Sequence, residues 1–160
     1  MKSYIFSLLI LLAIACKKDD IQVNFNYNEF LHMKSKWEQF NVKDYSYTYS
    51  SLGFGCFSNK YTVKYNLVEE VEPDTLICYH GMDSSIKYTI DDIFQKINYR
   101  YNNPIIEQSS EDTYWYCYEI AIEYDSAYFF PKRYEFKQKG KNMTITDMER
   151  IQTITDFRAN

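Results

Sequence analysis

The residue pattern predicts an α+β domain, an antiparallel sheet of about 4–6 strands with two amphipathic helices packed on one face. Three observations predict it. Several segments alternate apolar and polar residues with period two, as half-buried strands do. Two others repeat apolar residues at spacings of three and four, as amphipathic helices do. The connections between consecutive strands are short, which favours antiparallel neighbours over parallel crossovers.

The first helix begins near Asn28, with Asn26 or Asn28 as N-cap, and Phe30, Met33, Trp37 and Phe40 form its stripe. Residues 44–50, Asp-Tyr-Ser-Tyr-Thr-Tyr-Ser, alternate strictly and place Tyr45, Tyr47 and Tyr49 on one face of a strand. Residues 51–59, with Gly53, Gly55 and Cys56, read as a turn, and residues 61–67 alternate again as the returning strand of a hairpin. Residues 68–72 extend that strand or begin another, and residues 76–79 are a short strand at best. Thr89-Ile90-Asp91-Asp92 resembles a capping box, and Ile90, Ile93, Phe94, Ile97 and Tyr101 make the second stripe, ended by Asn102-Asn103-Pro104. An acidic polar loop is expected over residues 107–112, followed by a strand over 118–124. Pro131 interrupts the pattern, Tyr134-Glu135-Phe136 resumes it, Gly140-Lys141-Asn142 reads as a turn, and residues 150–157 read as a closing strand.

Residues 1–20, MKSYIFSLLILLAIACKKDD, carry a different signal. Lys2 precedes an apolar run over residues 4–15, and Ala15 stands directly before Cys16. That is the form of a secretory signal peptide ending in a lipobox. The run is short of the roughly 20 residues that span a bilayer as a helix. The expectation is a signal peptide over 1–15, a lipid-anchored polar tether over 16–26, and one domain over 27–160. Ala13 stands where lipoboxes prefer a larger aliphatic, and Ala13-Ile14-Ala15 also fits the ordinary A-x-A cleavage site. Lipidation of Cys16 in the outer membrane is the expectation, and a soluble secreted protein is the alternative. Lys17-Lys18-Asp19-Asp20 resembles the lysine-acid-acid signal that sends some Gram-negative lipoproteins to the outer face of that membrane, or it is a solvated tether.

The formal charge of −4 over 160 residues argues against nucleic acid as a partner. The membrane is reached through the lipid on Cys16, and an envelope protein, peptide or glycan is the partner class left open. Aromatics are 19% of the chain, with 17 Tyr. Tyr favours strands and is amphipathic, so it is either sheet material or a ligand platform. On the second reading the candidate binding face is Tyr45, Tyr47, Tyr49, Tyr61 and Tyr65. If a binding surface exists, it is expected on the sheet face or strand-end loops carrying exposed tyrosines, rather than on the helices.

Cys56, Cys78 and Cys117 remain after Cys16 and are candidate disulfide partners or free thiols; three is odd, so at least one stays unpaired or pairs between chains. The only histidines are His32 and His80. Cys78-Tyr79-His80 puts a thiol and an imidazole on one side of an extended segment, too few ligands for zinc. Neither acidic run, residues 69–74 or 111–112, has the spacing and Gly of a calcium loop. No catalytic set, cofactor or metal is implied. The functional expectation is a lipid-anchored, non-enzymatic binding or interaction module. The alternatives are an envelope hydrolase or redox protein using Cys78, His80 or Cys117, and a secreted enzyme inhibitor.

The ordered set Trp37, Asp44-Tyr45-Ser46-Tyr47, Cys56-Phe57, Thr89-Ile90-Asp91-Asp92-Ile93-Phe94, Tyr124-Asp125 and Phe130-Pro131 resembles a family of small exported bacterial proteins, often lipoproteins, of unknown function. The resemblance covers about residues 30 to 157. It implies a fold unit and a compartment, and no chemistry. The family turn often holds two cysteines around one residue, whereas Phe54 and Gly55 precede a lone Cys56 here.

Overall fold

The computed structural model describes residues 21–52, 57–73, 87–143 and 147–160. Helix α1 (Tyr27–Phe40) leads into β1 (Tyr45–Leu52), β2 (Phe57–Lys64) and β3 (Leu67–Pro73). Helix α2 (Ile90–Asn102) follows, then β4 (Ile105–Ser110), β5 (Thr113–Tyr124), β6 (Pro131–Lys141) and β7 (Asp147–Ala159). All seven strands form one antiparallel sheet in the order β3-β2-β1-β7-β6-β5-β4. Two meanders are thus joined where the last strand lies beside the first. This corrects the expected fold class: the sheet has seven strands instead of about 4–6, and it dominates the fold.

Both helices start where the sequence places strong caps. The Asn26 side chain accepts from Glu29 N at the head of α1, and Asn41, at φ 50°, closes the helix with its N–H on Glu38 O. In α2 the capping box forms, with Thr89 Oγ1 accepting from Asp92 N and Asp92 Oδ2 accepting from Thr89 N. Phe30 packs on Phe94 between the helices at 5.7 Å, and Tyr27 stacks on Tyr101 at 4.5 Å. Trp37 is buried against Tyr45, Phe130 and Phe157. Phe40, expected on the stripe, is exposed and rests its ring near Tyr128 and Phe129.

The core occupies the helix side of the sheet. Tyr45, Tyr47, Tyr49, Tyr61, Val63, Tyr134, Phe136 and Ile154 face it from four neighbouring strands. The other face of the same strands is polar: Ser46 pairs with Thr62, Thr48 with Lys60 and Thr155, and Ser50 with Ser58 and Thr153. Lys137–Glu119, at 2.6 Å, extends that wet face across β6 and β5. Such exposed pairs contribute little stability.

Three local readings are corrected by the sheet. The acidic loop over residues 107–112 is mostly the edge strand β4, whose polar side chains sit outside and whose backbone pairs with β5. The strand expected over 61–67 breaks at residues 65–66, a two-residue hairpin turn with Tyr65 at φ 51° and Asn66 at φ 59°, and of the two readings of residues 68–72 the separate strand, β3, is the one present. Gly140 and Lys141 belong to β6, and the left-handed position is Asn142. The tether expected over 16–26 also ends early. Asn24 N donates to Tyr118 O at 2.8 Å and Asn24 O accepts from Ile120 N at 3.0 Å, covering the edge of β5 beyond β4. Val23 and Phe25 already pack on the core.

Candidate functional site

The strand tyrosines are not a ligand surface. Tyr45, Tyr47, Tyr49 and Tyr61 are at most 1% exposed and lie under the helices. Tyr45 Oη accepts from Ile90 N at 2.9 Å, Tyr47 Oη donates to Tyr88 O, and Tyr49 Oη bonds Tyr134 Oη at 2.8 Å. Each ring therefore buries its apolar body while its hydroxyl finds a partner. Tyr65, the fifth member of the candidate face, stands 79% exposed at the β2–β3 turn. The other strongly exposed tyrosine among the described residues, Tyr99, is on α2. These rings are dispersed singly, so the expectation of a tyrosine platform on the open face is corrected. The physical reason is area: each alternating strand must bury one side, and Tyr buries far more apolar surface than the Ser and Thr opposite it.

Cys117 faces the core beside Gln138 and is buried, with its thiol donating to Glu119 O at 3.4 Å. Burial pushes its thiol up to about 11, which keeps it protonated and poorly nucleophilic at neutral pH. Cys16, Cys56, Cys78 and His80 lie outside the described residues. His32 is exposed on α1. Among the described residues, no group of three or more His, Cys, Asp or Glu is placed to hold a metal, and no helix is long and apolar enough to cross a membrane.

Two carboxylates, Asp91 and Asp125, hold parts of the fold together. Asp91 Oδ1 accepts from Trp37 Nε1 at 2.8 Å and Asp91 Oδ2 accepts from Asn66 Nδ2 at 2.6 Å, so it joins α1, α2 and the β2–β3 turn. Asp125 Oδ1 accepts from the N–H groups of Ala127 and Tyr128, folding the β5–β6 loop. That loop borders a cleft of about 350 Å³ against the end of β7, where Asp156 sits at φ 52° in a bulge and accepts from Thr155 Oγ1. Both acids are thus engaged locally.

The unusual chemistry lies at Lys96. It is on α2, beside the stripe of Ile93, Phe94 and Ile97, and points back to the sheet. Its ammonium sits 4.8 Å from the centre of the Tyr88 ring and 3.4 Å from Tyr49 Oη. Tyr49 Oη continues the contact to Tyr134 Oη, which is buried in β6. Arg100, one turn further along α2, and Arg150, on β7, lie close enough to repel it. Burial first, and these two cations second, push Lys96 down to about 8. Arg100 is lowered as well, by burial and in part by Arg150. Among the described residues no carboxylate is ion-paired with any of the three. The buried amides Gln138 and Gln152 share this side of the sheet, on β6 and β7. Only long-range register brings these groups together: Arg150 pairs with Phe136, a core residue, and so faces the helices. Nothing local in the sequence marks Lys96 or Arg150.

These features define a single-sheet domain with an aromatic core and one half-buried ammonium, Lys96, held between α2 and the sheet by the Tyr88 ring and Tyr49 Oη. Compared with family models, curated proteins and solved structures, the chain matches none.

Proposed function

We propose that this chain is an exported lipoprotein, tethered to the outer membrane through Cys16, whose folded domain is a non-enzymatic binding module. The supporting observation is the apolar run ending in Ala15-Cys16, read with the point at which the chain joins the sheet. Asn24 is already hydrogen-bonded to β5, eight residues after Cys16. At about 3.5 Å per residue, eight residues reach at most roughly 28 Å, so a lipid on Cys16 would hold the domain close to the bilayer surface. One acyl chain alone gives marginal binding, and two or three give a stable anchor. A buried, protonated Cys117 weighs against the reading that uses it as a nucleophile.

The test is fractionation of cells making the wild type or Cys16→Ala. The wild type should sediment with membranes and incorporate labelled fatty acid. The variant should lose the label and leave the membrane fraction. A variant that fractionates like the wild type would contradict the anchor.

A further inference from the structure

We propose that the cleft beside the bulge of β7 binds a glycan chain, with Asp125 and Asp156 accepting from sugar hydroxyls and Tyr128 lying against a sugar ring. The proposal names a ligand class for the binding module and rests on that half of the reading, independently of any lipid on Cys16. The cleft, of about 350 Å³, has the size of a small-ligand site and lies where the β5–β6 loop meets the end of β7. Phe130 and Ile154 give it an apolar, buried floor. Asp125, Tyr128, Lys132, Thr155 and Asp156 supply its polar lining. The two acids are held in place before any ligand arrives. Asp125 Oδ1 accepts from the N–H groups of Ala127 and Tyr128 at 2.9 and 2.7 Å. Asp156 sits at φ 52° in the bulge between the Ser46–Arg158 and Thr48–Thr155 pairs, and its Oδ2 accepts from Thr155 Oγ1. Each is engaged through one oxygen only: no donor among the described residues is bound to Asp125 Oδ2 or Asp156 Oδ1.

The mixture of groups selects the ligand class. Asp156 also lines a second depression, of about 220 Å³, on the open face of the sheet with Ser46, Thr48, Lys60 and Arg158. Lys132 is paired with Glu123 and Lys60 with Glu72, which leaves Asp125, Asp156 and Arg158 near charge balance across the two depressions. Neither a polycation nor a polyanion is favoured by that lining. What it offers is hydrogen bonding of both kinds: carboxylates only accept, Lys and Arg only donate, and Ser and Thr do either. A sugar hydroxyl also does either, so it finds a partner at every one of these groups. Tyr128 adds an amphipathic ring for the C–H face of a sugar, and Phe157 at 5.1 Å and Phe40 at 5.7 Å steady it. Because polar groups continue past the bulge from one depression to the next, the site suits several linked units better than one small molecule.

The experiment is calorimetric titration of the purified full chain, in neutral detergent, with maltohexaose, cellohexaose, mannohexaose, hexagalacturonate and a hexalysine peptide. At least one of the sugars should bind with Kd below about 1 mM, and hexalysine should not. Tightest binding of hexagalacturonate assigns an acidic glycan, its carboxylate beside Arg158; tightest binding of a neutral chain assigns a neutral one. Asp156→Gly should fold as well as wild type, because glycine adopts φ 52° freely, and should weaken the sugar at least tenfold. Asp125→Asn keeps an acceptor for the loop N–H groups and should weaken it about fivefold. Glu107→Gln, on the edge strand β4, should bind as wild type does. Chromatography of the titrated sugars separates this site from the reading it rests on: shortened chains would leave the site standing and end the non-enzymatic reading. No binding of any of the sugars, tighter binding of hexalysine, or full affinity in Asp156→Gly would overturn the site.

Discussion

Trp37→Ala should lower the unfolding free energy by about 3–5 kcal/mol through lost packing alone. The indole is 3% exposed and is met edge-on by Tyr45 at 5.8 Å and by Phe157 at 5.9 Å. It is also the donor to Asp91 Oδ1, and leaving that oxygen without a partner adds about 1–3 kcal/mol. A domain of this size has roughly 5–15 kcal/mol in all, so much of its margin would go. Trp37→Phe keeps part of the packing and loses the donor, and should fall between wild type and Ala. Urea unfolding followed by the fluorescence of the remaining Trp115 measures both. A midpoint for Trp37→Ala close to wild type would mean that α1 does not cover the sheet.

Tyr45→Ala should be equally damaging, again about 3–5 kcal/mol, although the residue comes from a strand that reads equally well as a ligand platform. Its ring is fully buried among Trp37, Tyr47 and Phe157. Its hydroxyl does a second job. Ile90 N is one of the first donors of α2, with no partner inside the helix, and Tyr45 Oη accepts from it. Tyr45→Phe should therefore keep the packing and still cost about 1–3 kcal/mol for the orphaned N–H. A surface tyrosine would show neither effect. Equal stability of wild type, Phe and Ala variants would return Tyr45 to the surface.

The parts of this fold that were legible in the sequence are those set by local chemistry. Asn26 and the Thr89–Asp92 pair mark where the helices begin because they satisfy backbone N–H groups within three residues. The strict alternation of residues 44–50 makes a strand because no helix can put Tyr45, Tyr47 and Tyr49 on one side. What period two leaves open is which side is wet, since Tyr is at home both in a core and at a surface. β4 was illegible for another reason. Glu107, Gln108, Ser109 and Ser110 bury almost nothing, and the strand exists through its backbone ladder with β5. The seven-strand count followed from such edge pieces and from a two-residue turn at Tyr65-Asn66 that looks like continuous strand. Lys96 and Arg150 are farthest from legibility, being 54 residues apart and joined only by the β6–β7 register and the lie of α2.

The central structural claim is that the strand tyrosines belong to the core and leave binding to other groups. Spectrophotometric titration of the tyrosines, with far-UV circular dichroism on the same samples, tests it most directly. Burial raises Tyr45, Tyr47, Tyr49 and Tyr134 well above the usual phenol range. The folded core holds them neutral, whereas the unfolded chain releases these protons near pH 10. Their contribution to stability is therefore complete below about pH 10 and is lost progressively as pH rises above it. The expected result is two phases in the phenol absorbance: one develops while the fold is intact, and the buried set, Tyr45, Tyr47, Tyr49 and Tyr134, ionises only as the sheet signal is lost. Ionisation of all the tyrosines in one step near pH 10, with the sheet signal unchanged, would contradict the account.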